Sequence, residues 1–416
     1  MKLTRRGFLK KSTAMIAALS FGSTFLGTAK GRDILTGNAE FDPFHRVKSP
    51  VLVVVQLSGG NDGLNTVIPY GKGEYYDARP TLGYKQNEVL VLDDELGLHP
   101  KLTELHQLYK DRKLAIVQGV GYPNPDHSHF RSMDIWQTGE PDKLIDSGWL
   151  GRYVSSSLSK HNLPAVQIGG TRNKAFLDPN FDVPVIQSLE LYQAFGIKTA
   201  TNIKQSMTQV LSDIYNQQKK NNQELLRVVS QYGLSAFQSV QDIQSLVSSY
   251  VNTTPYPDNP FAKNLQLITK LICGKAGTRV YYAQLGGFDD HAQEKQQHAK
   301  TLSQLDSGLG AFFRDLKING MEKDVIVMVF SEFGRRLKEN GSGGTDHGTA
   351  APVFVIGDQV NGGLYGAFPS LTNLDNGDLK YEVDFRSVYY TLIDEWLRGD
   401  AKFALGGKAH EKLKFI

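Results

Sequence analysis

The sequence predicts an α/β protein with a mainly parallel central sheet flanked by helices. Two observations support this prediction. Short, β-branched apolar runs recur along the chain, and helix-like stretches lie between several of them. Strands that alternate with helices are typical of a parallel sheet. The 416 residues are also ample for a large core, either as one big domain with an insertion or as two domains.

The first predicted strand covers residues 51–57, where Val-Leu-Val-Val-Val-Gln-Leu is followed by Ser58-Gly59-Gly60. A continuous apolar run of this length, closed by turn residues, is typical of a strand buried on both faces. Similar runs predict further strands at residues 114–117, 165–168, 280–283, 325–330 and 353–356. Helices are predicted at residues 101–110 and 293–316. One α/β domain is therefore expected over residues 49–416.

A segment of different composition and periodicity interrupts this domain at about residues 188–275. Leu, Ile and Val recur there at helical spacing among Gln, Ser, Asn and Lys, with little strand signal. The segment is interpreted as a helical insertion. Two roles stay open for it, a cap over the sheet and a solvated decoration without a part in function.

The N-terminus has the pattern of a twin-arginine export signal. Arg5-Arg6 is followed by Phe8-Leu9-Lys10 and by an uncharged stretch that ends near Ala29. Gly, Ser and Thr dilute this stretch, so no permanent membrane span is expected. Residues 1–29 are interpreted as a cleaved signal and residues 30–48 as a linker, with an uncleaved anchor or a merely basic terminus as the alternative. The expected partner is the twin-arginine translocation machinery, and the expected location is the periplasm or the exterior.

The charge and the cysteine count fit this destination. Residues 1–29 hold five basic and no acidic residues, so their removal takes the formal net charge from +3 to −2. No basic stripe with interleaved aromatic residues remains, and a nucleic-acid partner is not expected. Cys273 is the only cysteine, so no internal disulfide can form.

Acidic residues and histidines follow several of the predicted strands. In open α/β sheets ligands bind beyond the carboxyl ends of the strands, so these residues are the candidates for function. Carboxylate and imidazole groups together bind divalent cations such as zinc, manganese, magnesium or calcium. The predicted metal ligands are Asp62, Asp289, His291, Glu332 and His347. The alternative is a set of independent, solvated loop residues.

A further polar cluster follows the second strand, where Pro125-Asp126 precedes His127-Ser128-His129 at a predicted helix start. The first turn of a helix favours an anion, and a serine there is either a nucleophile or an N-cap. Ser128 and Arg131 are the candidate catalytic residues. The candidate substrate-binding residues are Asn61, His127, His129 and Arg335.

Six motifs make nearly the whole mature chain resemble a family of exported proteins catalogued as a domain of unknown function (family 1501). They are Gly-Gly-Asn-Asp-Gly-Leu-Asn from Gly59, His-Ser-His-Phe-Arg from His127 with Trp-Gln-Thr-Gly from Trp136, Gly-Trp-Leu-Gly-Arg from Gly148, Gly-Phe-Asp-x-His from Gly287, Ser-Glu-Phe-Gly-Arg from Ser331 and Thr-Asp-His-Gly from Thr345.

That family is in turn similar to the alkaline phosphatase and sulfatase superfamily. The resemblance implies an alkaline phosphatase-like fold, one or two divalent metals and a nucleophile at a helix start. It assigns the first aspartate ligand to Asp62 and the nucleophile to Ser128, although His127 and His129 compete for that place. It assigns an Asp/His pair to Asp289 and His291, and the last histidine to His347.

The chain departs from the superfamily at Glu332-Phe333, where an Asp-His pair is expected. A phenyl ring cannot bind a metal, so a second metal position is expected to be vacant or differently built. The leading hypothesis is an exported, metal-dependent hydrolase of phosphate or sulfate esters. The alternative is an inactive exported protein that binds a glycan or a partner. A Ser-His-Asp hydrolase is a weaker third hypothesis, because no Gly-x-Ser-x-Gly elbow occurs.

Overall fold

The computed structural model describes residues 49–186 except 160, 162, 180 and 182, then residues 213, 214, 216, 217, 247 and 250, and finally residues 254–416. The predicted signal and linker lie outside these residues. Most of the predicted helical insertion also lies outside them. The last part of that insertion is described and contains a helix, Pro260–Cys273.

A nine-stranded sheet forms the centre of the described chain. The strands of the described residues, numbered in chain order, are β1 (Val51–Ser58), β2 (Val67–Ile68), β3 (Leu90–Val91), β4 (Gly97–Leu98), β5 (Leu114–Gly121), β6 (Ala165–Ile168), β7 (Val185–Ile186), β8 (Val280–Gly286), β9 (Val325–Ser331), β10 (Arg335–Glu339), β11 (Thr345–His347), β12 (Ala351–Gly357), β13 (Gly363–Tyr365) and β14 (Val383–Asp384). The central sheet has the order β13-β5-β12-β9-β1-β8-β6-β7, with β14 also paired to β5. Only β12 runs antiparallel to its neighbours.

Helices cover both faces of this sheet. In the described residues they are α1 (Gly63–Thr66), α2 (Gly73–Ala78), α3 (Thr103–Lys110), α4 (His129–Thr138), α5 (Trp149–Ser157), α6 (Pro260–Cys273), α7 (Glu294–Ile318), α8 (Phe385–Thr391) and α9 (Ala401–Ala404). Short 3₁₀ turns lie at Gln86–Glu88, Lys174–Phe176 and Glu322–Asp324, and a π-helical turn, Leu392–Leu397, continues α8.

Side chains alternate along β1 between two hydrophobic cores. Leu52 and Val54 pack with the tryptophans of α4 and α5 on one face. Val53 and Val55 pack with α3, α6 and α7 on the other. Because every second side chain of a strand points to the same face, a run of β-branched residues suits a strand buried on both sides. The predicted fold class, a mainly parallel sheet between helices, is confirmed.

The strand register places several loops at one edge of the sheet. Leu57 of β1 lies beside Ser331 of β9, and Ser58 lies beside Gly286 of β8. The loops that follow these three parallel strands therefore start side by side. The described residues also form two small sheets outside the central sheet, an antiparallel pair of β10 with β11 and a three-stranded sheet in the order β2-β4-β3. Among the described residues, none of the helices has the length and hydropathy that crossing a bilayer requires.

Candidate metal centre

Three side chains from distant parts of the sequence meet at the carboxyl edge of the sheet. His129 begins α4, Asp289 follows β8, and His347 ends β11. One ligand atom from each of them lies within 4.8 Å of the other two. Asp289 Oδ1 is 3.4 Å from His129 Nε2 and 3.1 Å from His347 Nε2. Atoms bound to one tetrahedral zinc ion lie about 3.3 Å apart, so this spacing matches a metal centre.

Glu332 fixes the imidazole of His129. Nδ1–H of His129 donates to Glu332 Oε1 at 2.9 Å, and the same oxygen accepts from the backbone N–H of Gly59 at 2.9 Å. Since Nδ1 carries the hydrogen, the lone pair of Nε2 faces Asp289. Nε2 is buried and has no hydrogen-bond partner among the described residues. The hydrogen bond to Glu332 also raises the pKa of His129, against the effect of burial. Metal-binding histidines are oriented in this way by an acceptor on the second ring nitrogen.

His347 has the same arrangement with a different acceptor. Its Nδ1–H donates to the backbone carbonyl of His127 at 2.8 Å, which leaves the Nε2 lone pair toward Asp289. Burial lowers the pKa of His347 and so favours the neutral ring that a metal needs. Two lone pairs and a carboxylate oxygen that face one another repel unless a cation or a proton lies between them.

Arg335 and Gly59 hold Asp289 in place. Gly59 has φ +120°, and a Cβ at this position would lie 2.5 Å from the backbone nitrogen of Asp289, so only glycine allows this approach. Arg335 is buried and donates to Asp289 Oδ1 at 2.8 Å and to the carbonyls of Gly60 and Thr345. Burial acts to raise the pKa of Asp289, but the hydrogen bond and the charge of Arg335 outweigh it and hold that pKa well below its usual range.

A third imidazole lies at the same point. His291 Nε2 is 3.0 Å from Asp289 Oδ1 and 2.9 Å from His347 Nε2. Its Nδ1 is 3.5 Å from Asp346 Oδ1. His291 is therefore available as a fourth donor. Its side chain and that of Asp289 are about half exposed, so the cluster is open toward solvent.

Phe333 closes the opposite side of the cluster. Its ring is 2% exposed and lies 4.9 Å, centroid to centroid, from the rings of both His129 and His347. A phenyl ring cannot bind a metal, so Phe333 was not predicted as a ligand. Its contacts give it a different role, because it supports both imidazoles and keeps water away from one side of them.

The edge of the sheet carries more buried carboxyl groups than buried guanidinium groups. The buried acids near the cluster are Asp62, Asp290, Glu294 and Glu332, and the buried arginines are Arg79 and Arg335. Burial raises the pKa of Asp290 to about 6, and its Oδ2 has no hydrogen-bond partner among the described residues. An excess of buried negative charge is relieved by a bound cation or by a proton. Even without Glu294 the buried acids outnumber the two buried arginines, so the electrostatics favour cation uptake here.

The structure brings Asp289, His291 and His347 together, but it places Asp62 elsewhere. Arg79 binds the Asp62 carboxylate through two hydrogen bonds of 2.5 and 2.9 Å, and both side chains are buried. Burial acts to raise the pKa of Asp62, but the guanidinium of Arg79 holds it well below its usual range. The neighbouring Asn61 accepts a hydrogen bond from Thr66 within the core and is 2% exposed. Neither residue belongs to the cluster.

The other candidates also have defined positions. Glu332 contacts His129 and backbone groups rather than the point where the ligand atoms meet. Arg131 is bound to Asp134 and to the carbonyl of Pro141. Ser128 is exposed and makes no side-chain capping bond to α4. His127 bonds Asp378 at 2.8 Å through Nε2. Arg335 is buried and donates to Asp289 and to the backbone carbonyls of Gly60, Phe288 and Thr345.

His129 was predicted to bind substrate, but its Nε2 lies beside the candidate metal-binding atoms of Asp289 and His347. The available signal was the His-Ser-His motif, which places two imidazoles at the start of a helix that follows a strand of the sheet. No role was predicted for Arg79, which lies in a loop-rich region without a motif. Nothing local in the sequence marks Arg79 as the partner of Asp62.

The fold and the cluster define an α/β protein with a candidate metal centre at the carboxyl edge of its sheet. A family model described as protein of unknown function (DUF1501) matches residues 49–391. The chain belongs to that family, as its motifs predicted. No curated protein matches the chain.

Three solved structures similar to this chain each have a TM-score of 0.34. A protein in the alkaline phosphatase superfamily from Vibrio parahaemolyticus is 13% identical, with a TM-score of 0.34 over 80% of this chain and 68% of that chain. The C-terminal periplasmic domain of EcEptC from Escherichia coli, in complex with Zn, is 10% identical, with a TM-score of 0.34 over 74% of both chains. Alkaline phosphatase from the Antarctic bacterium TAB5 is 10% identical, with a TM-score of 0.34 over 74% of this chain and 91% of that chain.

Proposed function

We propose that this protein is a metal-dependent hydrolase of phosphate or sulfate esters. The observation that carries the proposal is the meeting of two imidazole lone pairs and one carboxylate oxygen, with the hydrogen of each imidazole held by an acceptor on the far side. His129, Asp289 and His347 would hold one divalent cation, with His291 as a further donor. Two imidazoles and a carboxylate form a ligand set that suits zinc, and manganese is also compatible.

An open side of the centre supports an enzymatic role. Phe333 covers one side of the imidazoles, while the side of Asp289 and His291 faces solvent. Catalytic metal sites keep such an open position for water or substrate, whereas structural sites are closed. When bound, a divalent cation would polarise the ester and offset its negative charge. The attacking group is water or the exposed hydroxyl of Ser128, which lies one residue before a proposed ligand.

The test combines metal analysis with an ester panel. The mature chain is purified without chelator, and its metal is measured with a panel of aryl phosphate and sulfate esters in parallel. We expect about one divalent cation per chain, and turnover that disappears in Asp289→Ala together with the metal. A folded, metal-free protein that takes up neither zinc nor manganese contradicts the proposal.

A second candidate function is an exported binding or assembly protein without turnover. The exposed, unsupported hydroxyl of Ser128 favours it, since no described hydrogen bond activates that group. Bound metal with no turnover on any ester, and unchanged metal in Ser128→Ala, is the result expected from this candidate. Turnover lost in Ser128→Ala excludes it.

We also propose export by the twin-arginine route, on the Arg5-Arg6 motif and the uncharged stretch that follows it. Replacing both arginines by lysine is expected to leave the precursor in the cytoplasm. Cell fractionation measures this. Unchanged delivery in the lysine variant counts against the proposed route.

A further inference from the structure

A second acidic cluster lies beside the candidate metal centre, at the start of α7. Glu294 is the first residue of that helix and is fully buried, as is Arg79 at the end of α2. Asp62, at the N-cap of α1, is 2% exposed. Burial raises the pKa of Glu294, and the charge of the nearby Asp62 raises it further. Two carboxyl groups thus lie close together in the core with one guanidinium beside them.

The hydrogen bonds leave no donor for one oxygen of Glu294. Both oxygens of Asp62 accept from Arg79, and Glu294 Oε2 accepts from the hydroxyl of Thr345 at 2.6 Å. Glu294 Oε1 is buried and has no protein donor among the described residues. A carboxylate oxygen accepts and cannot donate, so two carboxylates cannot bond each other unless one of them carries a hydrogen.

We propose that Glu294 is a neutral carboxylic acid whose proton is shared with Asp62, and that this acid positions the strand that carries His347. Arg79 compensates the charge of Asp62, so a second negative charge on Glu294 would be uncompensated in the core. The proton therefore belongs to Glu294 rather than to Asp62. Burial, followed by the charge of Asp62, raises the pKa of Glu294 to about 9, in agreement with this assignment.

Thr345 transmits the position of Glu294 to the metal centre. Its hydroxyl donates to Glu294, its backbone N–H donates to the carbonyl of Asp290, and its carbonyl accepts from Arg335. Thr345 begins β11, and His347 ends the same strand two residues later. Glu294 is thus a positioning residue, which reaches the proposed cation only through Thr345 and His347. This second half of the inference rests on the proposed function, whereas the proton on Glu294 does not.

The charged or titratable groups that act on Glu294 are Asp62, Arg79 and Tyr84, and His298 acts in turn on Asp62. All of these groups stay in place when Glu294 is replaced. A pH-dependent difference in stability between the wild type and the variant therefore reports the titration of Glu294. Glutamine has the matching shape, because its NH₂ group donates to Asp62 while its oxygen accepts from Thr345.

Stability as a function of pH tests the proton. An unfolded glutamate has its ordinary pKa of about 4.3. Between that value and about 9 the folded chain binds one proton more than the unfolded chain, so the wild type loses stability as the pH rises through this window. Glutamine has no proton to lose. Glu294→Gln should therefore gain stability over the wild type as the pH rises.

The experiment measures the melting temperature of the full mature chain, as purified, from pH 5 to 8.5. We expect Glu294→Gln to match the wild type near pH 5 and to melt about 3 °C or more above it at pH 8.5. The matched control is Glu339→Gln, which removes a carboxylate that accepts from the backbone of Thr81 and Leu82, and it should show no such gain. A difference between Glu294→Gln and wild type that is negative at pH 8.5, or independent of pH, overturns the proton on Glu294.

Zinc binding at pH 7 tests the positioning role. Titration calorimetry is expected to give a zinc affinity for Glu294→Gln within about twofold of the wild type, and a loss of about tenfold or more for Glu294→Ala. Equal affinity in Glu294→Ala and wild type overturns the positioning role. If the wild type binds no zinc, the proposed function and the positioning role both fail, and the melting comparison still decides the proton.

Discussion

The Glu332→Gln variant tests whether Glu332 binds the cation itself or orients the ligand His129. Glu332 Oε1 accepts from the backbone of Gly59 and from Nδ1 of His129, and Oε2 accepts from Ser331. A glutamine oxygen at the same place keeps the first two hydrogen bonds but removes the charge. The imidazole of His129 then stays in position and becomes a weaker electron donor.

The expected loss of cation affinity is moderate. Removing a partner of a metal-binding histidine costs about 10- to 100-fold in affinity. Since the geometry is kept here, we expect the lower end, about tenfold or 1.4 kcal/mol. Calorimetric titration of residues 30–416 with zinc at pH 7 measures this. Glu339→Gln is the control for loss of a carboxylate that bonds Thr81 and Leu82 instead of a proposed ligand.

Two results would refute this reasoning. Affinity equal to that of the wild type would mean that Glu332 does not act through His129. Complete loss, as expected for Asp289→Ala, would mean that Glu332 binds the cation directly, as the sequence predicted. A tenfold loss at unchanged stoichiometry supports the orienting role.

Three further predictions follow from the same contacts. Asp62→Ala leaves Arg79 buried without its partner, so it should lower the free energy of unfolding by about 3–5 kcal/mol, which denaturant melts measure. One zinc should still bind at saturation, and loss of that zinc in metal analysis would restore Asp62 as a ligand. Phe333→Ala should lower the free energy of unfolding by about 3–5 kcal/mol and weaken zinc binding, and Phe333→Leu should have a smaller effect on both quantities. Unchanged zinc affinity in Phe333→Ala would show that Phe333 does not support the imidazoles. Arg131→Ala should leave the zinc affinity unchanged, because its guanidinium is bound to Asp134 and Pro141, and a large loss would return it to the centre.

The sheet could be predicted because it depends on a local pattern. A run such as residues 51–57 buries both faces of a strand wherever it lies in the chain, so its β-branched residues predict β1 directly. The edge at which the candidate metal centre lies also followed, because parallel strands end on the same side. Asp289, His291 and His347 were predicted as ligands in this way, and the structure places their side chains together.

The remaining parts of the centre depend on contacts that the sequence does not encode locally. His129 and His127 both follow β5, and only the direction of α4 decides which imidazole points to Asp289. Asp62 ends its strand as the other candidates do, but Arg79 binds it from a different loop. Whether an acid meets a cation or an arginine is decided by tertiary packing.

The metal content of the purified protein tests the central claim most directly. Elemental analysis of chain purified without chelator, after addition of zinc and removal of the excess, is expected to give about one zinc per wild-type chain and none in His129→Ala or Asp289→Ala. A folded wild type without bound metal, or variants that keep it in full, would contradict a centre built from His129, Asp289 and His347.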